Sequence, residues 1–571
     1  MSLPRRRLLR ASLAGAILCG SGTGLVRGNV PNRRIPDSAR KYFELNVDHV
    51  PVNFSGKHRS AIAINGATPG PTLRWREGDV VTLRVNNRLE VPTSIHWHGV
   101  LLPANMDGVP GLSFDGIPPR GSFTYQFPLR QAGTYWYHSH SLFQEQLGHY
   151  GALVIEPRTP SGAAFDREHV LVLSDWTDLD PQALFQRLKK MPGYDNRYRR
   201  TAGDFIRDVK ANGLASTIEE RRMWNRMRMT PTDLSDVNGN TYTWLLNGRP
   251  NSNPWTGLFN PGEKVLLRFI NASAMTYFDV RIPGLKLTVV AADGQPVHPV
   301  TVDEFRIAVA ETMDVIVEPD EEGAAVIFAQ DMGRTGYVAG FLQSKKGMVA
   351  SVPAVDRRPL LGMREMGHEQ IGHEQMGKGD MQHAGRHDHA AMHPASKKLS
   401  HPASESGSPL VDMQVMQVSS RLDDPGIGLR DNGRRVLTYA DLRSPFDDLD
   451  GREPGREIEL HLTGHMEKFA WSFNGEPFGH AEPLRLHYGE RVRMVLVNDT
   501  MMHHPIHLHG MWSDLEDASG RFHVRKHTID MPPATRRTFR VSADALGRWA
   551  FHCHLLYHME AGMMREVRVE E

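Results

Sequence analysis

The feature that most constrains this 571-residue chain is a unit that it carries three times. The first copy, from Ile64, reads I-N-G-A-T-P-G-P-T-L-R-W-R-E-G-D-V-V-T-L-R-V-N-N. The second starts at Leu246 with L-N-G-R-P and closes on P-G-E-K-V-L-L-R-F-I-N; the third starts at Phe473 with F-N-G-E-P and closes on Y-G-E-R-V-R-M-V-L-V-N. Each opens on Asn-Gly, passes Gly-Asp or Gly-Glu, and ends in an alternating apolar run that stops at Asn. Measured to Asn86, Asn271 and Asn498, the spans from the opening Asn are 21, 24 and 24 residues. Alternation of Val, Leu and Ile with polar residues, cut by Gly and Pro, is the pattern of half-buried strands. Self-similarity at this scale implies one architecture built three times. The fold expected is therefore all-β, with three β-sandwich domains near 40–157, 165–348 and 432–571.

Two segments break the pattern. Residues 181–229, which include E-E-R-R-M-W-N-R-M-R-M, have helical spacing and read as a helical insertion in the second domain. Residues 349–431 are rich in Gly, His, Met, Pro and Ser without apolar periodicity, which reads as a flexible Met/His-rich linker or lid.

The amino terminus, M-S-L-P-R-R-R-L-L-R, is followed by a weakly apolar Gly/Ser-rich stretch. Residues 1–28 therefore read as an export signal, and Arg5-Arg6-x-Leu8-Leu9 fits the twin-arginine type, which engages machinery that exports folded proteins. The stretch is too short and Gly-rich to span a membrane comfortably. Cys19 raises the alternative of a lipid anchor, but Leu18 precedes it where a small residue is expected. Cleavage near Gly28 removes five of the 67 basic residues, so 62 face 66 acidic ones and the net charge passes from +1 to −4. No basic field for nucleic acid exists in either form. A soluble periplasmic protein without a stable membrane anchor, and a monomer, are the expectations.

Cleavage also leaves Cys553 as the single cysteine, set in F-H-C-H-L-L-Y-H-M-E-A-G-M-M over 551–564. A lone thiol in an oxidising compartment is a liability unless something holds it. Three further histidine clusters accompany it: H-W-H-G (His96, His98), Y-H-S-H (His138, His140) and H-P-I-H-L-H (His504, His507, His509). Residues at i and i+2 of a strand face one side, so each His-x-His presents two imidazoles together. In H-C-H, His552 and His554 face one way and Cys553 the other, so one tripeptide can serve two metal sites. Two histidines, a thiolate and a weak axial methionine make a blue-copper electron-transfer centre. Cys553, His558 and Met563 stand five residues apart, and His504 comes from the preceding cluster. Zinc is the rival metal, but ten histidines with one Cys and one Met exceed any mononuclear zinc site.

These four motifs resemble those of the multicopper oxidases, across all three repeats. H-C-H-L-L-Y-H-M-E-A-G-M, D-M-G-R-T-G-Y at 331–337 and the Met/His-rich insert resemble the bacterial copper-resistance protein A family. The resemblance implies cupredoxin-like domains and four copper ions. It implies type 1 copper at His504, Cys553, His558 and Met563, and type 2 copper at His96 and His507. The type 3 pair would be held by His98, His138, His140, His509, His552 and His554. Asp107, in M-D-G-V-P, matches an acidic residue that relatives place beside the trinuclear cluster for proton supply; its plain alternative is a turn aspartate. Many relatives carry a carboxylate directly after the type 1 histidine, where this chain has Met559, so the role of Glu560 stays open.

The reaction implied is one-electron oxidation of a donor coupled to four-electron reduction of O₂ to water. Residues 363–416 contain seven methionines and seven histidines, and thioethers favour Cu(I). The reading favoured is a Cu(I) oxidase for copper resistance, with additional weak copper sites in that stretch. The alternatives are a laccase-like phenol oxidase, with the stretch a polar linker, and a protein that chiefly sequesters copper.

Overall fold

The computed structural model describes residues 40–159, 162–362, 365 and 399–571. The expected signal segment, residues 1–28, lies outside the described residues, as do most of the methionines and histidines of the 363–416 stretch. Of the latter, His401, Met413 and Met416 are described.

The three repeats fold into three pairs of sheets. The first pair has two four-stranded sheets between Arg40 and Glu156; the second and third pairs each combine a six-stranded with a five-stranded sheet, over Arg167–Gln343 and Arg456–Glu570. Connectivity is the same in all three. The strand that opens each domain pairs in parallel with the strand that closes its repeat: Arg40–Val52 with Val80–Asn87, Arg167–Thr177 with Val265–Asn271, and Arg456–His465 with Arg491–Asn498. The last strand of each domain pairs in parallel with a strand inside the repeat, as Met564–Glu570 does with Leu484–His487. Parallel neighbours that are far apart in sequence require crossovers between the two sheets, which closes each sandwich.

Each repeat begins on a turn that demands its residues. Asn65-Gly66, Asn247-Gly248 and Asn474-Gly475 all have positive φ, between 52° and 81°. Two successive positive φ values define a type I′ turn, which Asn-Gly accommodates with least strain. Each repeat ends on a buried asparagine that staples its strand to crossing chain. Asn271 Nδ2 donates to the carbonyls of Thr276 and Ile307, and Asn498 Nδ2 to those of Met502 and Met531. In the first domain this work is done by Asn87, which reaches Val91, Ile117 and Pro118, whereas Asn86 bonds Glu44 and Asn46 near the surface. The structural repeat in the first copy thus ends at Asn87, one residue later than the Asn86 used in the sequence alignment.

Residues 181–229 contain three helices, Pro181–Lys190, Ala202–Asn212 and Leu214–Arg226. Asp180 caps the first through the Ala183 amide and Pro181 fills its first position, a start that leaves few amide donors unsatisfied. That helix buries Leu184, Phe185 and Leu188, and Lys189 Nζ donates to the Phe469 carbonyl. Phe185 stacks on Tyr557, with ring centroids 6.2 Å apart, so the insertion lies beside the C-terminal histidine motif.

The expectation of a flexible linker over 349–431 fails for its described ends. Val415, Leu422, Ile427 and Leu429 are buried, and the Arg536 amide bonds the Ser419 carbonyl. Asp356 takes both Arg281 and Arg434. Here chain order comes from isolated apolar anchors and ion pairs, which leave no periodic signature in the sequence.

Candidate metal centre

The antiparallel register of two C-terminal strands sets the geometry. His504–Leu508 pairs with Gly547–Cys553 so that Ile506 lies opposite Cys553 and His507 opposite His552. Side chains alternate across the sheet, so His507 and His552 share one face and Cys553 turns to the other. In the first domain, His96–His98 pairs with Gly133–His138, and His96 lies opposite His138.

On one face, Cys553 Sγ stands 3.5 Å from His504 Nδ1 and 3.9 Å from His558 Nδ1, while the two Nδ1 atoms are 3.1 Å apart. His558 rides the short helix Leu556–Glu560, and the amide of Met563 donates to the His558 carbonyl. The Cys553 amide donates to the Met563 carbonyl, which brings this fully buried methionine beside the thiol. The outer nitrogens are occupied: His504 Nε2 meets Thr500 Oγ1 at 2.7 Å and His558 Nε2 meets Asp236 Oδ2 at 2.8 Å. Asp236 Oδ2 is the acceptor for His558 Nε2, which leaves Nδ1 to point inward at the thiol.

On the other face, eight histidines converge from the first and third domains. His96 stacks on His509 and His98 on His507, at ring-centroid distances of 3.9 and 3.8 Å. His140 and His552 lie 5.0 Å apart, as do His138 and His554. One nitrogen of most rings is fixed by an acceptor: His96 Nδ1 by the Asp107 carbonyl at 2.8 Å, His138 Nδ1 by Glu145 Oε2 at 2.6 Å, and His509 Nδ1 by Asp107 Oδ2 at 2.8 Å. The His527 carbonyl takes His507 Nδ1 at 2.5 Å and the Cys553 carbonyl takes His552 Nδ1 at 2.9 Å. The opposite nitrogens converge and are left over. His96 Nε2, His98 Nδ1, His138 Nε2, His140 Nε2, His507 Nε2 and both nitrogens of His554 are buried without a hydrogen-bond partner.

His509 Nε2 and His552 Nε2 face each other at 3.0 Å. Both rings spend their proton on Nδ1, so these are two lone pairs in contact, an arrangement that a cation between or beside them relieves. Orphaned buried acceptors cost about 1–3 kcal/mol each. Burial, then neighbouring imidazoles, hold His98, His138, His140, His507, His509 and His554 well below the ordinary histidine range, and burial pushes His552 down to about 4. The rings are therefore neutral at pH 7 and keep their lone pairs. Burial pushes the Cys553 thiol well above its usual value, so a metal entering there must expel a proton to obtain thiolate. Both donor sets fit copper: a trigonal His₂Cys group on one face, and imidazoles alone on the other.

The structure brings every motif histidine to one of these two faces. Several partners had no signal in the sequence. Asp236 is 322 residues from His558 in the chain, and Glu145 belongs to no recognisable motif. His527 Nδ1 sits 3.1 Å from His98 Nε2, but a single histidine in K-H-T offers no i, i+2 partner. Asp107 does more than sit in a turn: its carboxylate also lies 3.3 Å from His96 Nδ1 and so touches two rings.

Comparison with known proteins agrees with the arrangement. Three sequence profiles described as multicopper oxidase match residues 46–160, 167–347 and 451–571. The chain belongs to the multicopper oxidases: it is an oxidoreductase whose cofactors are type 1, type 2 and type 3 copper. Within that family it is 60% identical to a copper resistance protein A homolog of Pseudomonas syringae pv. tomato, over 99% of both chains. It is 61% identical to copper resistance protein A of Escherichia coli, over 93% of this chain and 92% of that one. Among solved structures, the laccase from Botrytis aclada superposes with a TM-score of 0.62 at 21% identity, covering 93% of this chain and 88% of the laccase, a likeness of fold.

Replacing Asp107 by Ala leaves His509 Nδ1 without its acceptor. Loss of such a partner lowers metal affinity about 10–100-fold. Asp107→Ala should therefore shed type 2 and type 3 copper during dialysis against a chelator, while the blue absorption of the Cys553 centre persists. Metal content per chain checks this; copper retention equal to the parent's would contradict the assignment.

Proposed function

We propose that this protein oxidises Cu(I) to Cu(II) in the periplasm, four ions for each O₂ reduced to two waters with uptake of four protons. The observation that carries the reading is a cavity of about 560 Å³ that meets Asp236, the hydrogen-bond partner of His558. Its lining includes the thioethers of Met229, Met466 and Met502 and the carboxylates of Asp233 and Asp236. Thioether is a soft ligand that favours Cu(I), and carboxylates prefer the product ion, so this lining can take the substrate and release it oxidised.

We assign the ligands as the sequence motifs imply. His504, Cys553, His558 and Met563 would hold type 1 copper; His96 and His507 type 2; and His98, His138, His140, His509, His552 and His554 the type 3 pair. Bound there, copper supplies one-electron acceptance at the first site and O₂ reduction at the second. Cys553 and its two histidine neighbours form the shortest covalent link between the sites. Asp236 orients His558 at the donor side. Asp107 orients His96 and His509, and is the carboxylate placed to carry protons to the O₂ side.

Among the described residues no helix is long and apolar enough to cross a membrane. The Arg5-Arg6 leader is what supports twin-arginine export to the periplasm. Changing both Arg5 and Arg6 to Lys should hold the protein in the cytoplasmic fraction; unchanged periplasmic recovery would sink that part.

Leucine matches methionine in volume but offers no soft donor. The triple variant Met229→Leu, Met466→Leu, Met502→Leu should lose roughly tenfold in kcat/KM for Cu(I), while kcat/KM for a phenol stays within about twofold. Equal losses on both donors, or none on Cu(I), would favour the laccase-like reading.

A further inference from the structure

Away from both copper faces, four titratable side chains meet where residues 399–415 cross the third domain. His461 lies on the strand Arg456–His465, and Asp499 directly follows Arg491–Asn498, its parallel neighbour. His401 and Glu405 come from the segment laid over them. Glu405 and Asp499 have no exposed side-chain surface, His461 has 1%, and His401 has 20%.

The hydrogen bonds around this group fix what faces inward. His401 Nε2 lies 3.0 Å from the Val415 carbonyl, which can only accept, so the ring proton is there. His461 Nε2 faces the Glu459 carboxylate at 3.4 Å, a second acceptor for that ring beside the closer Asp499. Gln414 Nε2 donates to Glu405 Oε2 at 2.9 Å, and the Val415 amide donates to Asp499 Oδ1 at 3.0 Å. Both Nδ1 atoms are left pointing at carboxylate oxygens. His401 Nδ1 stands 3.2 Å from Glu405 Oε2 and 3.3 Å from Asp499 Oδ2. His461 Nδ1 stands 2.7 Å from Asp499 Oδ2 and 3.7 Å from Glu405 Oε1, and this last oxygen is buried without a hydrogen-bond partner.

With the ring protons on the outer nitrogens, every atom on the inside is an acceptor and two carboxylates are buried among them. Something positive must stand there, either protons on the rings or a metal ion. Bond lengths of about 2.0–2.2 Å to N and O donors give ligand-to-ligand edges of about 3.3–3.6 Å in a four-coordinate site. Three of the four contacts, at 3.2, 3.3 and 3.7 Å, lie within about 0.1 Å of that range, and the 2.7 Å contact must open by about 0.6 Å to enter it. The outer nitrogens are held by a carbonyl and a carboxylate, as ligating histidines usually are. No sulfur is present, so the set suits a borderline divalent ion and not Cu(I).

We infer that His401, Glu405, His461 and Asp499 form a binding site for one divalent transition ion of the Zn(II) or Cu(II) class. It is separate from the two copper faces and pins residues 399–415 to the third domain. The one-fifth exposed His401 ring is the side from which the ion enters.

Zn(II) is the probe, because it is counted apart from the four coppers. The full-length copper-loaded protein is equilibrated with Zn(II), freed of loosely held ion, and its zinc and copper are measured per chain, with calorimetric titration of Zn(II) alongside. The parent should keep one more Zn(II) per chain than either Glu405→Gln or His461→Gln, and the calorimetric site should weaken at least tenfold in both, with copper count and blue absorption unchanged. If Glu405→Gln does not fold, His401→Gln, at the partly exposed position, serves in its place. Cu(II) in a parallel titration tells which ion of the class is preferred. Equal zinc in the parent and in blue, four-copper variants would show that ring protons alone neutralise the group, and would overturn the inference.

Discussion

The pairing of Ile506 with Cys553 and of His507 with His552 is the constraint on which the rest depends. Because side chains alternate across a sheet, one residue of slip would exchange the two faces. Cys553 would then join the imidazoles of the other face, and His552 would enter the thiolate centre. The fold spends its means on preventing that slip. The Cys553 amide is tied to the Met563 carbonyl, the His554 amide to that of Pro505, and Asn498 staples the end of the neighbouring strand. The third domain thus supplies both faces from two strands, and the first domain closes the second face with His96, His98, His138 and His140.

A second condition is electrostatic. Eight buried imidazoles would repel one another if charged, and burial keeps His98, His138, His140, His507, His509, His552 and His554 neutral, which is also the state that binds metal. Carboxylates enter only at the outer nitrogens, where Asp107, Glu145 and Asp236 each take an N–H and turn the remaining lone pair inward. Burial, and then Asp175, raise the Glu145 carboxyl well above its usual range, so its charge beside His138 is weakened when no cation is near. The protein surrounds its metal positions with orientation and leaves the charge to the ions.

Much of this was legible in the sequence, for a physical reason. Contacts made within a few residues leave fixed spacings: His-x-His for a strand face, Asn-Gly for a type I′ turn, and the five-residue steps from Cys553 to His558 to Met563. Contacts made by single residues across the fold leave none. Asp236 and Glu145 are ordinary carboxylates until the chain places them against histidines. Asn87 and Asn86 are indistinguishable in V-N-N, and only the pleat decides which is buried. Residues 349–431 read as a flexible linker because the order of their described ends rests on scattered anchors, such as Val415 and Leu429, and on charged pairs with distant strands. The four histidine clusters stand out in the sequence, and Asp107 through the family resemblance, while Glu145 and Asp236, which aim His138 and His558, do not.

If one strand, through Cys553 and its two histidine neighbours, serves two separate copper centres, one centre can be emptied without the other. The most direct test is copper content and visible absorption of Cys553→Ser, purified after copper loading. Serine keeps the size and the backbone bonds but removes the thiolate, the ligand responsible for the intense blue charge-transfer band. The blue band should vanish while the three coppers assigned to His96, His98, His138, His140, His507, His509, His552 and His554 remain. A variant that stays blue, or one that loses those three coppers while still folded, would contradict it.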